Sequence, residues 1–414
     1  MAHDTRPIDR RTALRAGAAP LAAIAGVSSI AGCLDDAGPT SADEEDAQPS
    51  EDADVVVEEV VTGLSAPWGI AFLPESTEAV VTERDGDLLL VDVAEGESRV
   101  IANAPTALSA GQGGLLDVAL HPEYASESWV YLTYAVANGD GESTTAVGRG
   151  RLDRDGGEPA LDSFEQLHAA EPYVDSTGHY GSRATFGPDG ALYVTVGDRQ
   201  FKDFGTDHVS QDTTTELGTT LRLDPDGTVP DDNPFLDDED VLDTIYSSGH
   251  RNAQGMTVHP ETAEIWQSEH GEEDGDEINV IEAGGNYGWP VAHTGCAYGT
   301  DDPVGDHPED REDVVDPVYY WECGSGGFPP AGATFYDGDA VPAWEGDLFV
   351  GNLAGQYLGR FAVDGHEVTE LDPLLADRGW RVRDVTVGPD DALYVLVDGA
   401  SAPVVRIGPE DASS

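Results

Sequence analysis

Five short segments of this chain combine glycine with histidine, arginine, aspartate and glutamine, the side chains that can do chemistry. Each segment adjoins a stretch whose residues alternate like a β-strand. The segments span residues 111–117, 177–183, 248–255, 268–277 with a continuation at 285–289, and 378–384. Because binding and catalytic residues concentrate on loops held by a rigid scaffold, these loops are the predicted functional site.

Arginine indicates what kind of ligand the site would bind. The chain has 20 basic residues against 81 acidic ones, so the placement of each arginine is informative. Arg381 and Arg383 are two residues apart, which puts them on one face of an extended segment, and Arg251 lies in another loop. Any one of them could pair with an acid. The set together with His179 favours recognition of a ligand with several negative charges by forked donors.

A recurring turn-and-strand unit describes the scaffold. Its turn contains a proline, at positions 74, 122, 188, 260, 342 and 389, and an alternating strand follows each time. The intervals between these prolines, 47 to 82 residues, correspond to one four-stranded blade or to a blade with an inserted loop. With 49 Gly and 26 Pro, the sequence predicts an all-β fold, a six-bladed β-propeller with inserted loops. A β-sandwich is the alternative, but it would not need six copies of one hairpin.

The net charge of −61 limits the partners of the protein. A field of this sign repels phosphate backbones and anionic membrane surfaces, so nucleic acid is excluded as a partner. The acidic residues are spread through every segment, which fits adaptation to molar salt, where the Debye length is about 3 Å. We therefore expect a protein of a high-salt organism, of haloarchaeal type.

Residues 1–32 are predicted to form an export signal that does not belong to the folded domain. Arg10 and Arg11 precede an apolar run over residues 16–31, and the phrase that ends in Cys33 resembles a lipobox. The signal is therefore of the twin-arginine type, with a lipidated cysteine. An uncleaved membrane helix is the alternative, but the run is short for a span, which needs about 20 residues.

This N-terminus predicts the domain organisation and the location of the protein. After lipidation of Cys33, residues 33–54 form an acidic, solvated tether, and residues 55–414 form the propeller domain. We expect an exported, cell-surface lipoprotein on the outer face of the cytoplasmic membrane. Its lipid is then its only contact with that membrane.

Cys296 and Cys323 are the cysteines that remain after the lipid anchor. Export to an oxidising space makes a disulfide between them plausible, although they could equally be two free thiols. Neither belongs to a C-x-x-C pair, so metal binding by these two residues is not expected.

The phrases of the candidate loops also carry a family resemblance. In chain order they read GQGGLLDVALHP, HYGSRATFGPDGALYVTVGD, VPDDNPF, YSSGHRNAQGM, SEHGEEDGDEIN, GGNYGWP and RVRDVTVGPDDALYVL. They resemble, in the same order, phrases of the soluble quinoprotein glucose/sorbosone and aldose sugar dehydrogenases, from about Leu64 to near the C-terminus. The resemblance implies oxidation of an aldose at C1 to the lactone, with hydride transfer to bound pyrroloquinoline quinone (PQQ). An external acceptor then takes the electrons.

The resemblance also implies roles for individual residues. His179 matches the general base, and Asp198 matches the carboxylate that orients it, although an aspartate in that position could also only cap a turn. Arg251 matches the residue that stabilises charge on the quinone oxygen. The residues that match further cofactor contacts are Gln112, Asn252, Arg381 and Arg383, the last two as partners of the quinone carboxylates.

Calcium is the second cofactor that the resemblance implies. The backbone oxygens of Gly271 and Glu272 match the ligands of a calcium ion that also binds the quinone and polarises its carbonyl. A second calcium ion would bind at Glu277 and Tyr287. His250 and His270 flank these phrases, and we expect both to be structural hydrogen-bonding residues.

Three positions depart from the family pattern. Relatives have a lysine that contacts the quinone, and this sequence has none in the corresponding phrase, residues 350–356, so a cationic contact is missing or replaced. Glu272 stands where proline or another residue is usual, and Gly178 stands where some relatives have aspartate. These departures bear on quinone affinity and substrate preference more than on the fold.

Two other functions are compatible with a propeller. One is a calcium-dependent lactonase or hydrolase, which would need carboxylates and Asn side chains to converge on a metal and would have no use for the arginine set. The other is a surface-binding module that has lost the cofactor. The missing lysine favours this module, whereas His179 and the arginines oppose it, and the fold alone does not decide.

Overall fold

The computed structural model describes residues 55–154 and 156–410. Within these ranges the chain forms six four-stranded antiparallel sheets arranged as the blades of a propeller. The predicted fold class is thus confirmed. The predicted export signal over residues 1–32, the predicted lipidation site Cys33 and the predicted tether over residues 33–54 lie outside the described residues. No helix in the described part of the chain is long and apolar enough to cross a membrane.

The first three blades follow one another along the chain, each with its innermost strand first. Blade 1 consists of β2 (Pro67–Phe72), β3 (Glu78–Glu83), β4 (Leu88–Asp92) and β5 (Glu97–Val100). Blade 2 consists of β6 (Leu115–Leu120), β7 (Trp129–Ala137), β8 (Ser143–Asp153) and β9 (Ala160–Ala169), with the short helix α1 (Tyr124–Glu127) between its first two strands. Blade 3 consists of β10 (Ala184–Phe186), β11 (Leu192–Val196), β12 (Thr219–Leu223) and β13 (Ile245–Ser248).

The remaining blades complete the ring. Blade 4 consists of β14 (Ala253–Val258), β15 (Ile265–Glu269), β16 (Glu277–Val280) and β17 (Tyr319–Tyr320). Blade 5 consists of β18 (Pro330–Phe335), β19 (Leu348–Asn352), β20 (Tyr357–Asp364) and β21 (Glu367–Glu370). Blade 6 consists of β22 (Val382–Val387), β23 (Leu393–Val397), β24 (Ala402–Gly408) and β1 (Val56–Leu64). Three 3₁₀ turns, Val209–Gln211, Pro308–Asp310 and Pro342–Trp344, lie in the connections.

The first and last strands of the described chain close the ring. β1 pairs antiparallel with β24, so that Val56 lies opposite Gly408 and Leu64 lies opposite Ala402. The N-terminal strand is therefore the outermost strand of blade 6, which joins the two ends of the propeller by backbone hydrogen bonds.

The six repeated prolines mark the same place in every blade. Each follows the innermost strand and precedes the second strand, as Pro74 does between β2 and β3. The repeated unit predicted from the sequence is thus the hairpin between the innermost and second strands of each blade, where the chain turns away from the central channel. Apolar side chains of neighbouring blades pack against each other between the sheets; Val80 and Leu90 of blade 1, for example, share a cluster with Val130 and Leu132 of blade 2.

Cys296 and Cys323 form a disulfide, with Cα atoms 5.4 Å apart. The alternative of two free thiols is therefore not what the structure shows. The bond connects the loop that follows β16 to the loop that precedes β18.

Arg183 is a buried cation at the centre of the channel, where the innermost strands meet. Its Nη1 donates to Asp117 Oδ1 of blade 2 at 2.8 Å and lies 3.1 Å from Asp384 Oδ1 of blade 6. Its Nε donates to the carbonyl of Gln254 in blade 4 at 2.9 Å, and its guanidinium lies 4.5 Å from the ring centre of Trp68 in blade 1. One side chain of blade 3 thus contacts four other blades.

The fifth blade makes room for this ion cluster with a glycine. A Cβ atom on Gly332 of β18 would lie 1.7 Å from Asp384 Oδ1, so no larger residue fits there. Burial raises the pKa of Asp117 to about 7, although the charge of Arg183 opposes the shift. Burial also raises the pKa of Asp384, again against Arg183.

We predict that Arg183→Met destabilises the propeller by about 3–5 kcal/mol, because it leaves two buried carboxylates without their cation. A carboxyl group whose pKa is higher in the folded than in the unfolded state loses stability as pH rises between the two values. Without Arg183 the pKa values of Asp117 and Asp384 rise further, so the variant should regain stability as pH falls from about 8 to about 5. Urea denaturation in molar salt across this range measures the effect.

Arg99→Met is the control for that experiment. Arg99 pairs with Glu78 at 2.8 Å on the surface, with 47% of its side chain exposed, so its loss should cost less than about 1 kcal/mol. Equal destabilisation of the two variants would contradict the central role of Arg183.

Candidate active site

A polar cavity of about 480 Å³ opens at the end of the channel where the innermost strands begin. It lies on the opposite side of the Arg183 cluster from a second cavity, of about 510 Å³, which is lined by the later residues of the same strands. Most of the residues predicted for the site line the first cavity: Gln112, His179, Arg251, Asn252, Gly271, Glu272, Arg381 and Arg383. The structure thus brings together residues from all five candidate segments.

His179 and Asp198 form a buried pair at the cavity wall. Asp198 follows β11, and its Oδ1 lies 2.6 Å from His179 Nδ1. The other carboxylate oxygen accepts a hydrogen bond from Trp289 Nε1 at 2.9 Å. Asp198 Oδ1 also accepts from the backbone N–H of Gln200 at 2.8 Å, so the orienting and the turn-capping roles coexist in one residue. Because Nδ1 of His179 is bound to Asp198, Nε2 is the ring nitrogen that can interact with a ligand in the cavity.

The surroundings keep His179 neutral and Asp198 charged. Burial lowers the pKa of His179, and the nearby Arg251 adds to this, while the hydrogen bond and charge of Asp198 oppose it. Burial alone would raise the pKa of Asp198, but hydrogen bonding and charge from His179 bring it below its ordinary value. At neutral pH the imidazole is therefore an unprotonated base, fixed by a carboxylate.

Gln112 and Asn252 hold the loop that carries the histidine. Gln112 Oε1 accepts from the backbone N–H of His179 at 2.7 Å, and Asn252 Oδ1 accepts from that of Gly181 at 3.1 Å. His179 itself has a left-handed backbone, with φ +43°, which few non-glycine residues adopt without such contacts. The side-chain oxygen of each residue thus accepts a hydrogen bond from this loop. No hydrogen bond among the described residues involves either side-chain nitrogen, so both nitrogens could donate to a ligand.

Arginines form one wall of the cavity. Arg381 Nε and Nη2 both donate to Asp398 Oδ2 at 3.1 Å, and Arg383 Nη2 lies 3.4 Å from the same oxygen. Arg383 Nη1 also donates to Gln254 Oε1 at 2.9 Å. Burial lowers the pKa of Arg383 to about 10, against the charge of Asp398. Arg84 also lines the cavity. Burial would raise the pKa of Asp398, but the charges of Arg383, Arg381 and Arg84 bring it below its ordinary value.

Glu272 holds two more cations at the opposite side. Its Oε2 accepts from Arg251 Nη2 at 2.7 Å, and its Oε1 accepts from Lys202 Nζ at 2.6 Å. Arg251 Nη1 donates to the carbonyl of His270 at 3.2 Å, while its buried Nε has no partner among the described residues. Arg251 lines the cavity, and an acceptor on a ligand would satisfy this unpaired donor if it reached the guanidinium.

The loop after β15 could hold a cation close to this wall. Asp276 Oδ1 accepts from the backbone N–H of Gly271 at 3.0 Å, and its Oδ2 accepts from that of Phe328 at 2.7 Å. This arrangement fixes the loop while, in the described part of the chain, no hydrogen bond ends on the carbonyl oxygens of Gly271 or Glu272. Free carbonyls beside several carboxylates are a donor set that suits calcium.

Glu277 and Tyr287 do not line the main cavity but a small neighbouring space of about 10 Å³. Glu277 Oε1 lies 3.5 Å from Thr294 Oγ1 and 3.5 Å from His293 Nδ1. The Tyr287 hydroxyl donates to the carbonyl of Val280 at 2.5 Å. The described residues contain no group of three or more His, Cys, Asp or Glu side chains suited to a metal, so ligands there would have to include backbone oxygens.

The two flanking histidines differ in their surroundings. His250 is buried between Glu269 Oε2 and Ser247 Oγ, each 2.8 Å from one of its ring nitrogens, as expected of a structural residue. His270 lies 3.3 Å from Gln254 Oε1 but also lines the active-site cavity. Its position in the cavity was not predicted.

Several cavity residues were not predicted from the sequence. Arg84, Gln200, Lys202 and Tyr298 all line the cavity. Trp289 belongs to the candidate segment 285–289, but its hydrogen bond to Asp198 was not predicted. Lys202 is the only lysine in the chain, which was a usable signal. It reaches the cavity from the loop after Asp198, whereas the phrase at residues 350–356 contributes no cation.

The chain is similar to known proteins over most of its length. Residues 64–406 match the family model described as glucose/sorbosone dehydrogenase. The aldose sugar dehydrogenase YliI of Escherichia coli is 36% identical over 87% of this chain and 94% of its own length.

Solved structures of aldose sugar dehydrogenases are similar to this chain. The apo-form of the soluble enzyme from Escherichia coli matches with a TM-score of 0.80 and 36% identity, covering 86% of this chain and 100% of that one. The PQQ-bound form of the enzyme from Streptomyces coelicolor matches with a TM-score of 0.69 and 28% identity, covering 86% and 98% of the two chains. The family match, the shared fold and the cavity residues lead to one conclusion: the chain belongs to the glucose/sorbosone dehydrogenase family.

Proposed function

We propose that this protein is a PQQ-dependent aldose dehydrogenase that oxidises the C1 carbon of a sugar to the lactone. One observation carries the proposal: the buried His179–Asp198 pair faces the same cavity as Arg251, Arg381 and Arg383. A chain with 81 acidic residues has thus gathered a base and scarce cations at one place. A similar protein, from Streptomyces coelicolor, is known in a PQQ-bound form.

The residues of the cavity fit the two cofactors. Arg381 and Arg383, which share one carboxylate, would bind the carboxylates of the quinone, and the unpaired Nε of Arg251 would face an anionic oxygen. The free carbonyls of Gly271 and Glu272 would bind calcium. When bound, PQQ would supply the two-electron acceptor for the hydride that leaves C1, and calcium would act as a Lewis acid.

His179 would act as the general base of the reaction. Its Nε2 takes the proton of the C1 hydroxyl, and Asp198 stabilises the imidazolium that results while keeping the ring in one orientation. Trp289 and the backbone N–H of Gln200 hold both oxygens of that carboxylate, so the pair is rigid before the sugar arrives. Arg251 lines the same cavity, and its positive charge would stabilise negative charge on a bound electron acceptor.

We further propose that the enzyme works outside the cell, in high salt. The signal over residues 1–32, the lipidation site Cys33 and the tether over residues 33–54 support an exported lipoprotein, and the net charge of −61 supports a saline environment. Electrons would then pass to an external acceptor, and the sugar would be taken from the surroundings.

We predict that His179→Ala lowers dye reduction with an aldose by about 10²–10⁴-fold, the usual contribution of a general base. Quinone affinity should change little, because the arginines that would bind the carboxylates remain. Steady-state assays in molar salt with calcium and PQQ measure the first effect, and an optical titration measures the second.

The control for this variant is His366→Ala. His366 is an exposed histidine in the turn between β20 and β21, where it contacts Glu264 at 3.1 Å. It does not line the cavity, so its loss should leave turnover unchanged. If His179→Ala kept full turnover, another residue would have to be the base.

The pH profile gives an independent prediction. Because burial lowers the pKa of His179, the acid limb of kcat/KM should fall below pH 6.5, the ordinary value of histidine. Asp198 raises the pKa of His179 in the native protein, so Asp198→Asn should move this limb to still lower pH and reduce kcat, since the ring loses its orienting carboxylate. An acid limb that moved upward in Asp198→Asn would contradict the pairing.

A further inference from the structure

Gln200 lies close to His179, and its side-chain amide is available to bind a ligand. It lines the cavity, and no hydrogen bond within the described residues ends on its side-chain nitrogen or oxygen. The amide rests on Gly178, the residue that precedes His179: a Cβ atom at position 178 would lie 2.3 Å from Gln200 Cδ and 2.3 Å from its Oε1. The absence of a side chain at Gly178 is therefore what admits the glutamine to this place.

The backbone that carries Gln200 is held in an unusual conformation. Arg199 and Gln200 are both left-handed, with φ values of +58° and +63°, a region that non-glycine residues occupy at an energetic cost. The Gln200 N–H donates to Asp198 Oδ1 at 2.8 Å, and the buried Arg199 donates from Nε to the Gly178 carbonyl at 2.9 Å. These hydrogen bonds hold Arg199 and Gln200 in their strained conformations, and the Gln200 side chain lines the cavity beside His179.

Tyr298 lines the same cavity from its rim. Its side chain belongs to the few large hydrophobic ones that are exposed, at 63%, and Lys202 Nζ lies 5.3 Å from its ring centre. Gly326 and Gly327 also line the cavity, and a Cβ atom on Gly326 would meet nothing within 4 Å, so this part of the rim is open. The Cys296–Cys323 disulfide connects the loop of Tyr298 to the loop of these glycines.

We propose that Gln200 and Tyr298 form the sugar subsite of this cavity. The Gln200 amide hydrogen-bonds the hydroxyl of the carbon next to C1, and the Tyr298 ring packs on the C–H face of the pyranose. A carboxamide donates and accepts, as a sugar hydroxyl does, and a tyrosine ring offers an apolar face with a polar tip. The subsite rests on the proposed function, since it places the C1 hydroxyl next to His179.

The test uses the protein loaded with PQQ and calcium, and the probe is 1-deoxyglucose. This sugar keeps the pyranose ring and the C2 hydroxyl but has no C1 hydroxyl to oxidise, so calorimetry measures its binding without turnover. Gln200→Ala should weaken binding by about 3–10-fold, the usual worth of one hydrogen bond. The KM for glucose should rise in parallel, while the Kd for PQQ and the melting temperature should not change.

Gly178→Ala tests the placement of the amide without removing it. The new methyl group would displace only the end of a flexible side chain, so the fold should survive while Gln200 leaves its position. We expect the same loss of binding as in Gln200→Ala, and no additional loss in the double variant, because both changes remove one interaction.

Tyr298→Phe and Tyr298→Ala separate the ring from its hydroxyl. Phenylalanine should retain binding of 1-deoxyglucose, whereas alanine should weaken it by a factor comparable to that of Gln200→Ala. Val100→Ala, at a residue of β5 that is 54% exposed, is the control and should bind the sugar as the native protein does.

The outcomes distinguish the two proposals. A native protein that loads PQQ and oxidises glucose, with unchanged sugar binding in Gln200→Ala, Gly178→Ala and Tyr298→Ala, would overturn the subsite and leave the dehydrogenase proposal standing. A folded native protein that loads no PQQ would overturn the dehydrogenase proposal and the subsite with it.

Discussion

The buried guanidinium of Arg183 is the interaction on which the channel depends. It contacts strands of blades 1, 2, 4 and 6, and the glycine at position 332 of blade 5 leaves space for its partner Asp384. The innermost strands can approach one another only because this cation compensates two buried carboxylates. The cluster is also the floor of the active-site cavity, since Trp68 covers Arg183 and lines the cavity at the same time. The same ion cluster therefore joins the blades and forms the floor of the active-site cavity.

Arg183 belongs to that floor, and five further cations line the cavity: Arg84, Lys202, Arg251, Arg381 and Arg383. Asp398 is shared by Arg381 and Arg383, and Glu272 is shared by Arg251 and Lys202. Each carboxylate thus contacts two cations but neutralises only one of their two positive charges. Five cations and five carboxylates line the cavity, so its lining is close to neutral within a strongly negative protein. An anionic ligand is therefore repelled less in the cavity than over the rest of the surface. This contrast explains why family resemblance and charge placement lead to the same loops.

The sequence predicted what depends on local signals. The six proline turns occur where each chain segment leaves the channel, so a repeat of turn chemistry was enough to count the blades. The closure of the ring by β1 was not predicted, because pairing between strands at opposite ends of a chain leaves no local pattern. The motif loops identified His179 and its carboxylate, whereas Lys202 was missed because its approach to Glu272 spans 70 positions. The contact of Gln200 with Gly178 likewise follows from backbone angles that sequence patterns do not reveal.

The most direct test of the account is an optical titration of the folded protein with PQQ in molar salt, with and without calcium. The central claim is that the arginine wall and the free carbonyls form a cofactor site, so we predict saturable binding that requires calcium and that weakens when Arg381 and Arg383 are both replaced by methionine. Absence of binding in a protein shown to be folded would contradict the claim, and binding that ignored both calcium and the arginines would contradict the proposed site.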